Sequence, residues 1–414
     1  MISVDDARAQ IMAKVPAFLT RRRAKADATH TEVRTLLEAL GCVLAENIVS
    51  SIDVPPADNS AVDGYAVRAA DVMNALPISQ RIPAGVTATP LEQASAARIF
   101  TGAEVPSGAD AVVMQEECSA DDSSVRIHQS ARVASGDNIR PRGQDVKQGE
   151  LVLAAGEKLL PWHLGLLASI GVDRVRVFTP LRVVVLSTGD ELQEPGEPPA
   201  PGKIFNSNRY QLLGLLKECG FSGIDGGVVA DTAAASEAAL QRYSSCADVS
   251  CADVIITTGG VSVGEEDHVR AAVEKLGELS LWKMAIKPGK PFAFGRVGDA
   301  VFAGLPGNPS AVLVTFLILL KPFLQACQGQ VEKSCAAQQL PADFAVAKPG
   351  RRQEYLRVRV VEKDGQRVLM KHPNQSSGML SSACWADGLA VLPAGVSVSR
   401  GDDLAFWSFA ELLR

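Results

Sequence analysis

Three short segments of this 414-residue chain carry the residue types that anion chemistry needs. The first, Thr257-Thr258-Gly259-Gly260-Val261-Ser262-Val263-Gly264-Glu265-Glu266-Asp267, follows an apolar stretch and precedes a helical one. Its glycines permit backbone conformations closed to other residues, so loop amides and the Ser262 hydroxyl can cradle a phosphate or oxyanion. Asp267, near the helix start, could hold a metal. The same residues would equally build a plain strand-to-helix turn with a capping aspartate. The segment lacks the lysine-serine ending of a Walker loop and the spacing of a dinucleotide fingerprint. The second segment, Lys283-Met284-Ala285-Ile286-Lys287-Pro288-Gly289-Lys290-Pro291, places three cations close together on a turn stiffened by two prolines. Fixed cations suit a polyanion, and because Phe292-Ala293-Phe294 continues as a buried strand, a merely solvated turn explains the run less well. In the third, Gly304-Leu305-Pro306-Gly307-Asn308-Pro309-Ser310, Asn308 is a good helix cap and Pro309 suits the first helical position. Free amides would then face an anion, or the feature is capping alone.

Acidic residues occupy comparable loops: Asp58 and Asp63 before Gly64-Tyr65, Asp145 after Arg140-Pro141-Arg142-Gly143-Gln144, and Glu191 after Gly189-Asp190. Each alone is an ordinary turn residue. Facing a phosphate-rich pocket, such carboxylates need a divalent cation between, and oxygen donors without a histidine cluster favour magnesium. The five histidines are dispersed, with no HExxH, and His268 reads as packing.

The elements that would position these groups differ along the chain. Val4 to Arg23 has a loose helical period interrupted by Pro16, and Thr31 to Leu40 predicts a second helix with Thr31 as cap and Val33, Leu36, Leu37 and Leu40 on one face, ending at Gly41. From Ser51 to Arg140, short alternating runs with glycine and proline turns predict a β-rich insertion. A helix from Pro161 to Ile170 restores the N-terminal texture. From Pro180 to Gln330 strands and helices alternate, which argues for a doubly wound α/β domain with its cleft at the carboxyl ends of strands. After Gln330, alternating runs at Tyr355 to Val361, Leu389 to Leu392 and Leu404 to Trp407 predict a small β-barrel or sandwich. The expected partition is 1–50 with 141–179, 51–140, 180–328 and 329–414: a helical/mixed domain, an inserted β-rich domain, an α/β domain and a C-terminal small β-barrel.

Composition narrows the function classes. A net charge of −6 excludes a chain that coats nucleic acid but leaves room for a local basic pocket. The eight cysteines form no CxxC pair and read as reduced and structural. The N-terminus carries acids where a signal peptide carries bases, and the longest apolar run, Ala311 to Leu320, falls well short of the roughly 20 residues of a membrane span. The expectation is a cytoplasmic protein in which that run is a buried helix.

The phrases Asn59-Ser60-Ala61-Val62-Asp63-Gly64-Tyr65-Ala66, Ile99-Phe100-Thr101-Gly102-Ala103, Ser187-Thr188-Gly189-Asp190-Glu191-Leu192, Gly259-Gly260-Val261-Ser262-Val263-Gly264, Lys287-Pro288-Gly289-Lys290-Pro291 and Leu305-Pro306-Gly307-Asn308-Pro309 resemble, in order over nearly the whole chain, the molybdopterin molybdenumtransferase family, which includes the E domain of gephyrin. The resemblance implies the last step of molybdenum cofactor synthesis: magnesium-dependent hydrolysis of adenylylated molybdopterin, release of AMP and insertion of molybdate. It also implies an elongated homodimer of four-domain subunits, whose cleft lies between the α/β domain of one subunit and the inserted β domain of the other. By motif, Lys287, Lys290 and Ser262 match positions facing molybdate, with Arg352 and Ser377 as partners in the last domain. Asp63, Asp145, Glu191, Asp231 and Asp267 match residues around the catalytic cleft, as do Thr101, Arg140, Lys283, Pro306 and Pro309. Gly259 and Gly260 fall in the substrate-binding turn, and Asp267 with Glu191 would take the metal. Thr257-Thr258 and Ser376-Ser377-Gly378 depart mildly from the family's threonine-serine and glycine-serine-glycine. Two other readings fit a similar cleft: a magnesium-dependent phosphotransferase on another phosphorylated substrate, and a non-catalytic assembly scaffold. Other cofactor-biosynthesis proteins are possible partners.

Overall fold

The computed structural model describes residues 1–24, 30–245, 251–260, 268–331 and 336–414. The chain forms two compact units: Met1–Glu32, Gly41–Ala45 and Val177–Arg414 make the first, and Val33–Leu40 and Glu46–Arg176 the second.

The first unit is built on a six-stranded sheet of β1 (Arg182–Thr188), β2 (Ser222–Val229), β3 (Val254–Thr258), β4 (Gly277–Lys283), β5 (Pro291–Val297) and β6 (Ala300–Leu305), in the order β2-β1-β3-β6-β5-β4. β2, β1, β3 and β6 run parallel, whereas β5 and β4 are antiparallel to their neighbours. The unbroken apolar run of β1 follows from burial on both faces. Val183 and Val185 pack with Leu212 and Leu216 of α1 (Ser207–Cys219), while Val184 and Leu186 pack with Leu240 of α2 (Ala233–Ser244) and Val269 of α3 (His268–Leu276). Successive residues point to opposite faces, so each layer of helices takes every second side chain. β2 escapes sequence inspection because glycines interrupt it, and the structure shows why they are there. A Cβ at Gly226 would run into Leu186 and the Val185 carbonyl.

The apolar run expected to be buried belongs to one helical stretch, Pro309–Cys327, with a π-helical turn at Phe316–Leu320. By length and composition it could cross a membrane, but 83% of it is buried inside the protein, so it is a core helix. In the same unit Gln353–Lys363 pairs with Gly388–Leu392, then Asp403–Ser408 and Gln338–Pro341 follow, and Gln366–Lys371 lies on its other side. A bridge between Ala342 and Leu369 joins the two far strands. This sheet takes one more, unexpected strand, Ile286–Lys287, parallel to Gln353–Glu354.

The second unit carries a six-stranded sheet in the order Ala111–Met114, Gly64–Val67, Ala96–Ile99, Leu76–Ile82, Ser124–Ile127, Cys118–Ala120. Its two faces bury separate clusters, one around Tyr65, Val67 and Val113 and one around Ala66, Ile99 and Val112.

One expected element is wrong. Thr31–Thr35 is a strand and Leu36 to Gly41 a turn, not a helix. The β-branched residues at 31, 33 and 35 favour extended backbone. Glu38 then closes the turn by accepting the Thr35 amide at 3.1 Å and its hydroxyl at 2.7 Å. The supposed helical face is therefore surface: Leu37 is 86% exposed and Val33 50%. Among the described residues, 1–50 are helical only over Val4–Met12 and Val15–Ala24, with Pro16 in the first turn of the second helix, where its missing amide costs nothing.

Candidate active site

The register of the sheet lines up the ends of its four parallel strands. Val229 lies beside Thr188, Ser187 beside Thr258, and Thr258 beside Leu305. Gly189-Asp190-Glu191, Asp231, Gly259-Gly260 and Pro306-Gly307-Asn308-Pro309 thus leave from one edge. β2 and β3 flank β1 on opposite sides, so the chain reverses direction there and opens the crevice in which open α/β sheets bind ligands.

The glycines of that crevice are required. Gly260 has φ +61°, and a Cβ there would come within 2.6 Å of Val269 Cγ2; Gly259 has φ +88° and would meet the Thr188 carbonyl at 2.8 Å. The Gly259 amide, expected to be available to a ligand, instead donates to the Leu305 carbonyl at 3.2 Å. Asp231 donates its amide to Asp190 Oδ1 at 3.3 Å, which brings two acidic loops together. Asn208, which the sequence did not mark, donates from Nδ2 to the Gly307 carbonyl at 2.7 Å and fixes the turn ahead of the core helix.

The short strand Ile286–Lys287 sets the cations. Lys287 lies opposite Glu354, and its Nζ donates to Glu354 Oε1 at 3.0 Å. Arg352, just ahead of the partner strand, donates from Nη1 to the Ile286 carbonyl at 3.3 Å, next to Lys287 in the chain. Lys283 and Lys290 are exposed at either end of the segment. Gly289, at φ +112°, lies where a Cβ would come within 2.5 Å of Thr315 Cγ2 on the core helix.

Ser377 arrives by another route. Its carbonyl accepts the Ser310 amide at 3.0 Å, and the Ser310 hydroxyl donates to the Met379 carbonyl at 2.9 Å, docking the Ser377 loop on the start of the core helix. Arg357, only 1% exposed, holds the loop from behind. It donates to the Ser376 carbonyl at 3.0 Å and the Ser382 hydroxyl at 3.1 Å, and burial pushes its guanidinium down to about 10. Neither Arg357 nor Glu354 stands out in the sequence, because the partners of each are distant in the chain.

Four of the remaining expected residues lie in the second unit. Asp63 Oδ1 accepts the amide and the hydroxyl of Thr101, both at 2.8 Å, so two residues singled out separately form one turn. Those contacts hold the Asp63 carboxyl below its ordinary range, the Thr101 amide contributing most. Arg140 pairs in strand register with Asn59, and Asp145 is exposed. Ser262 and Asp267 lie outside the described residues. Among the described residues no three His, Cys, Asp or Glu side chains form a metal-binding group.

Three families match in succession: the MoeA N-terminal region (domain I and II) over residues 2–171, a probable molybdopterin binding domain over 184–326, and the MoeA C-terminal region (domain IV) over 339–409. A molybdopterin molybdenumtransferase of Haemophilus influenzae is 43% identical over 334 residues, 80% of this chain and 78% of that protein. The chain belongs to the MoeA, or molybdopterin molybdenumtransferase, family. A molybdopterin molybdenumtransferase of Bacillus subtilis is 34% identical over 378 residues, 88% of this chain and 86% of that protein. A MoeA crystal structure from Pyrococcus horikoshii superposes with a TM-score of 0.78 at 28% identity, covering 98% of this chain and 99% of that one. The MoeA fold here is thus a multi-domain arrangement of mixed sheets and helices.

Proposed function

We propose that this protein is the molybdopterin molybdenumtransferase of molybdenum cofactor biosynthesis, and that it inserts molybdate into adenylylated molybdopterin with hydrolysis and release of AMP. The observation that carries the reading is the convergence, within one unit, of the glycine crevice, the Ile286–Lys287 strand with Arg352 bonded to it, and the Ser377 loop docked on the helix start. A substrate bearing phosphates and an oxyanion needs backbone room and fixed cations side by side.

The roles follow from position. Gly259, Gly260, Pro306 and Pro309 shape the bed for the pterin phosphates, and Ser262 is taken as a further substrate contact. Lys287, Lys290, Arg352 and Ser377 take the molybdate, and Lys283 adds positive charge at the end of β4. The donors Glu191, Asp190 and Asp231 are all oxygen, which suits a hard cation. Magnesium commonly uses one or two carboxylates and takes the rest of its shell from water and substrate phosphates, so a full protein cage is not needed. Glu191 and Asp267 would hold it, and it would supply neutralisation of charge building on the phosphoanhydride.

Asp63, Thr101, Arg140 and Asp145 belong to the second unit, and their part in the reaction is to complete the cleft of another copy in a homodimer. The exposed apolar residues Leu37 (86%), Trp162 (61%) and Val33 (50%) support such an interface. We take the domains as 1–50 with 141–179, 51–140, 180–328 and 329–414, the last a small barrel closed through Ala342 and Leu369. The protein is taken to act in the cytoplasm. Incubation with adenylylated molybdopterin, magnesium and molybdate tests the reading: AMP and active cofactor should appear together, and their absence with an intact substrate would overturn it.

A further inference from the structure

Lys287 already has a partner in this structure. Its ammonium lies 3.0 Å from each oxygen of the Glu354 carboxylate. The pairing follows from the register that sets the two residues opposite each other on parallel strands. Glu354 is well held: its side chain is 15% exposed, and its Oε1 lies where a Cβ on Gly350 would come within 2.8 Å. Lys287, by contrast, keeps 44% of its side chain in solvent. A half-exposed pair contributes little to the stability of a fold, so the arrangement needs another account.

We propose that Glu354 is a tethered competitor for the oxyanion, an internal anion that occupies Lys287 and lowers the affinity of the site for every free anion. The inference rests on the reading of Lys287 as an oxyanion contact. A carboxylate fixed on the neighbouring strand acts at a high effective concentration, so any incoming anion must displace it or share the ammonium with it. Its charge also repels a dianion a few ångströms away, by an amount that even at water-like screening corresponds to about tenfold in affinity. Abundant anions that touch only the lysines are held off. Molybdate is accepted when other contacts, such as those of Arg352 and the Ser377 loop, hold it at the same time. Glu354 is on this account a specificity-determining residue that favours an anion delivered into a pre-loaded site over the same anion free in solution.

Calorimetric titration of molybdate, and of sulfate as a dianion that is not a substrate, into the full-length wild type and its Glu354→Gln and Glu354→Asp variants tests this. The glutamine variant is expected to bind both anions about tenfold more tightly, whereas the aspartate variant, which keeps the charge, stays within about threefold of wild type. Glu354→Met provides a second neutral side chain should the glutamine variant not fold. Unchanged or weaker affinity in the folded neutral variant would overturn the proposal, because a purely packing carboxylate leaves affinity where it was and one that orients Lys287 lowers it on removal. Binding of neither anion by wild type or any variant at millimolar concentration would instead overturn the reading of Lys287 itself.

Discussion

Lys287 and Lys290 flank Pro288-Gly289, and Gly289 is seated against Thr315 on the core helix, so this turn has little room to move. If Lys290 contacts the oxyanion as proposed, replacing it with alanine should raise the molybdate concentration giving half-maximal cofactor formation by about 10- to 150-fold. The half-saturating concentration of adenylylated molybdopterin should move much less, and steady-state titration of each substrate measures both. Gly260→Ala probes the crevice rather than the cations. With a positive φ and Val269 in the way, the new methyl should cost about 1–3 kcal/mol, read as a lower urea midpoint at unchanged slope. The clustered lysines and glycines were legible because they are neighbours in the chain. Glu354 was not, since it meets Lys287 from 67 residues away and no local pattern announces the pairing. Arg357 was hidden for a related reason, as the Ser376 carbonyl and the Ser382 hydroxyl it bonds lie 19 and 25 residues away.

At the scale of elements, β1 and β3 read correctly because strands buried on both faces are continuously apolar, and the core helix because its run is long and aliphatic. β2 was missed because close approach to Leu186 replaced its side chains with glycines, and Thr31–Leu40 was misread because apolar residues spaced for a helix serve a surface there. Pairing of the short Ile286–Lys287 strand with Gln353–Glu354 is a tertiary fact that two residues cannot announce. The Asp63–Thr101 turn offers a pH test at this scale. The carboxyl of Asp63 is held low, first by the Thr101 amide and then by its hydroxyl. A group whose pKa is lowered by folding stabilises the fold above its unfolded value and loses that contribution as pH falls through the folded one, here below about pH 4. Thr101→Val keeps the amide and deletes the hydroxyl. Its melting temperature should lie below that of wild type at pH 7, with the gap narrowing on acidification below pH 4, as thermal melts across that range would record.

For the whole molecule, the proposed site residues divide between two compact units, and Leu37 and Trp162 are each exposed apolar side chains. The proposed homodimer would account for both. Leu37→Glu places a charge at the proposed interface and should shift sedimentation towards the monomer at micromolar protein, while a wild type already monomeric there would refute the dimer. If each cleft takes groups from two subunits, mixing the impaired Asp63→Asn and Lys290→Ala variants should restore part of the activity through hybrid dimers.

The central claim is that molybdate is received between the Ile286–Lys287 strand and the Ser377 loop, beside the crevice of the parallel sheet. Crystals grown with tungstate, an isosteric and strongly scattering dianion, locate that site directly by anomalous diffraction. The expected result is one dominant peak within hydrogen-bonding reach of Lys287 and Lys290, with Arg352 and Ser377 around it. A dominant peak elsewhere, with those four residues lining only solvent, would contradict it.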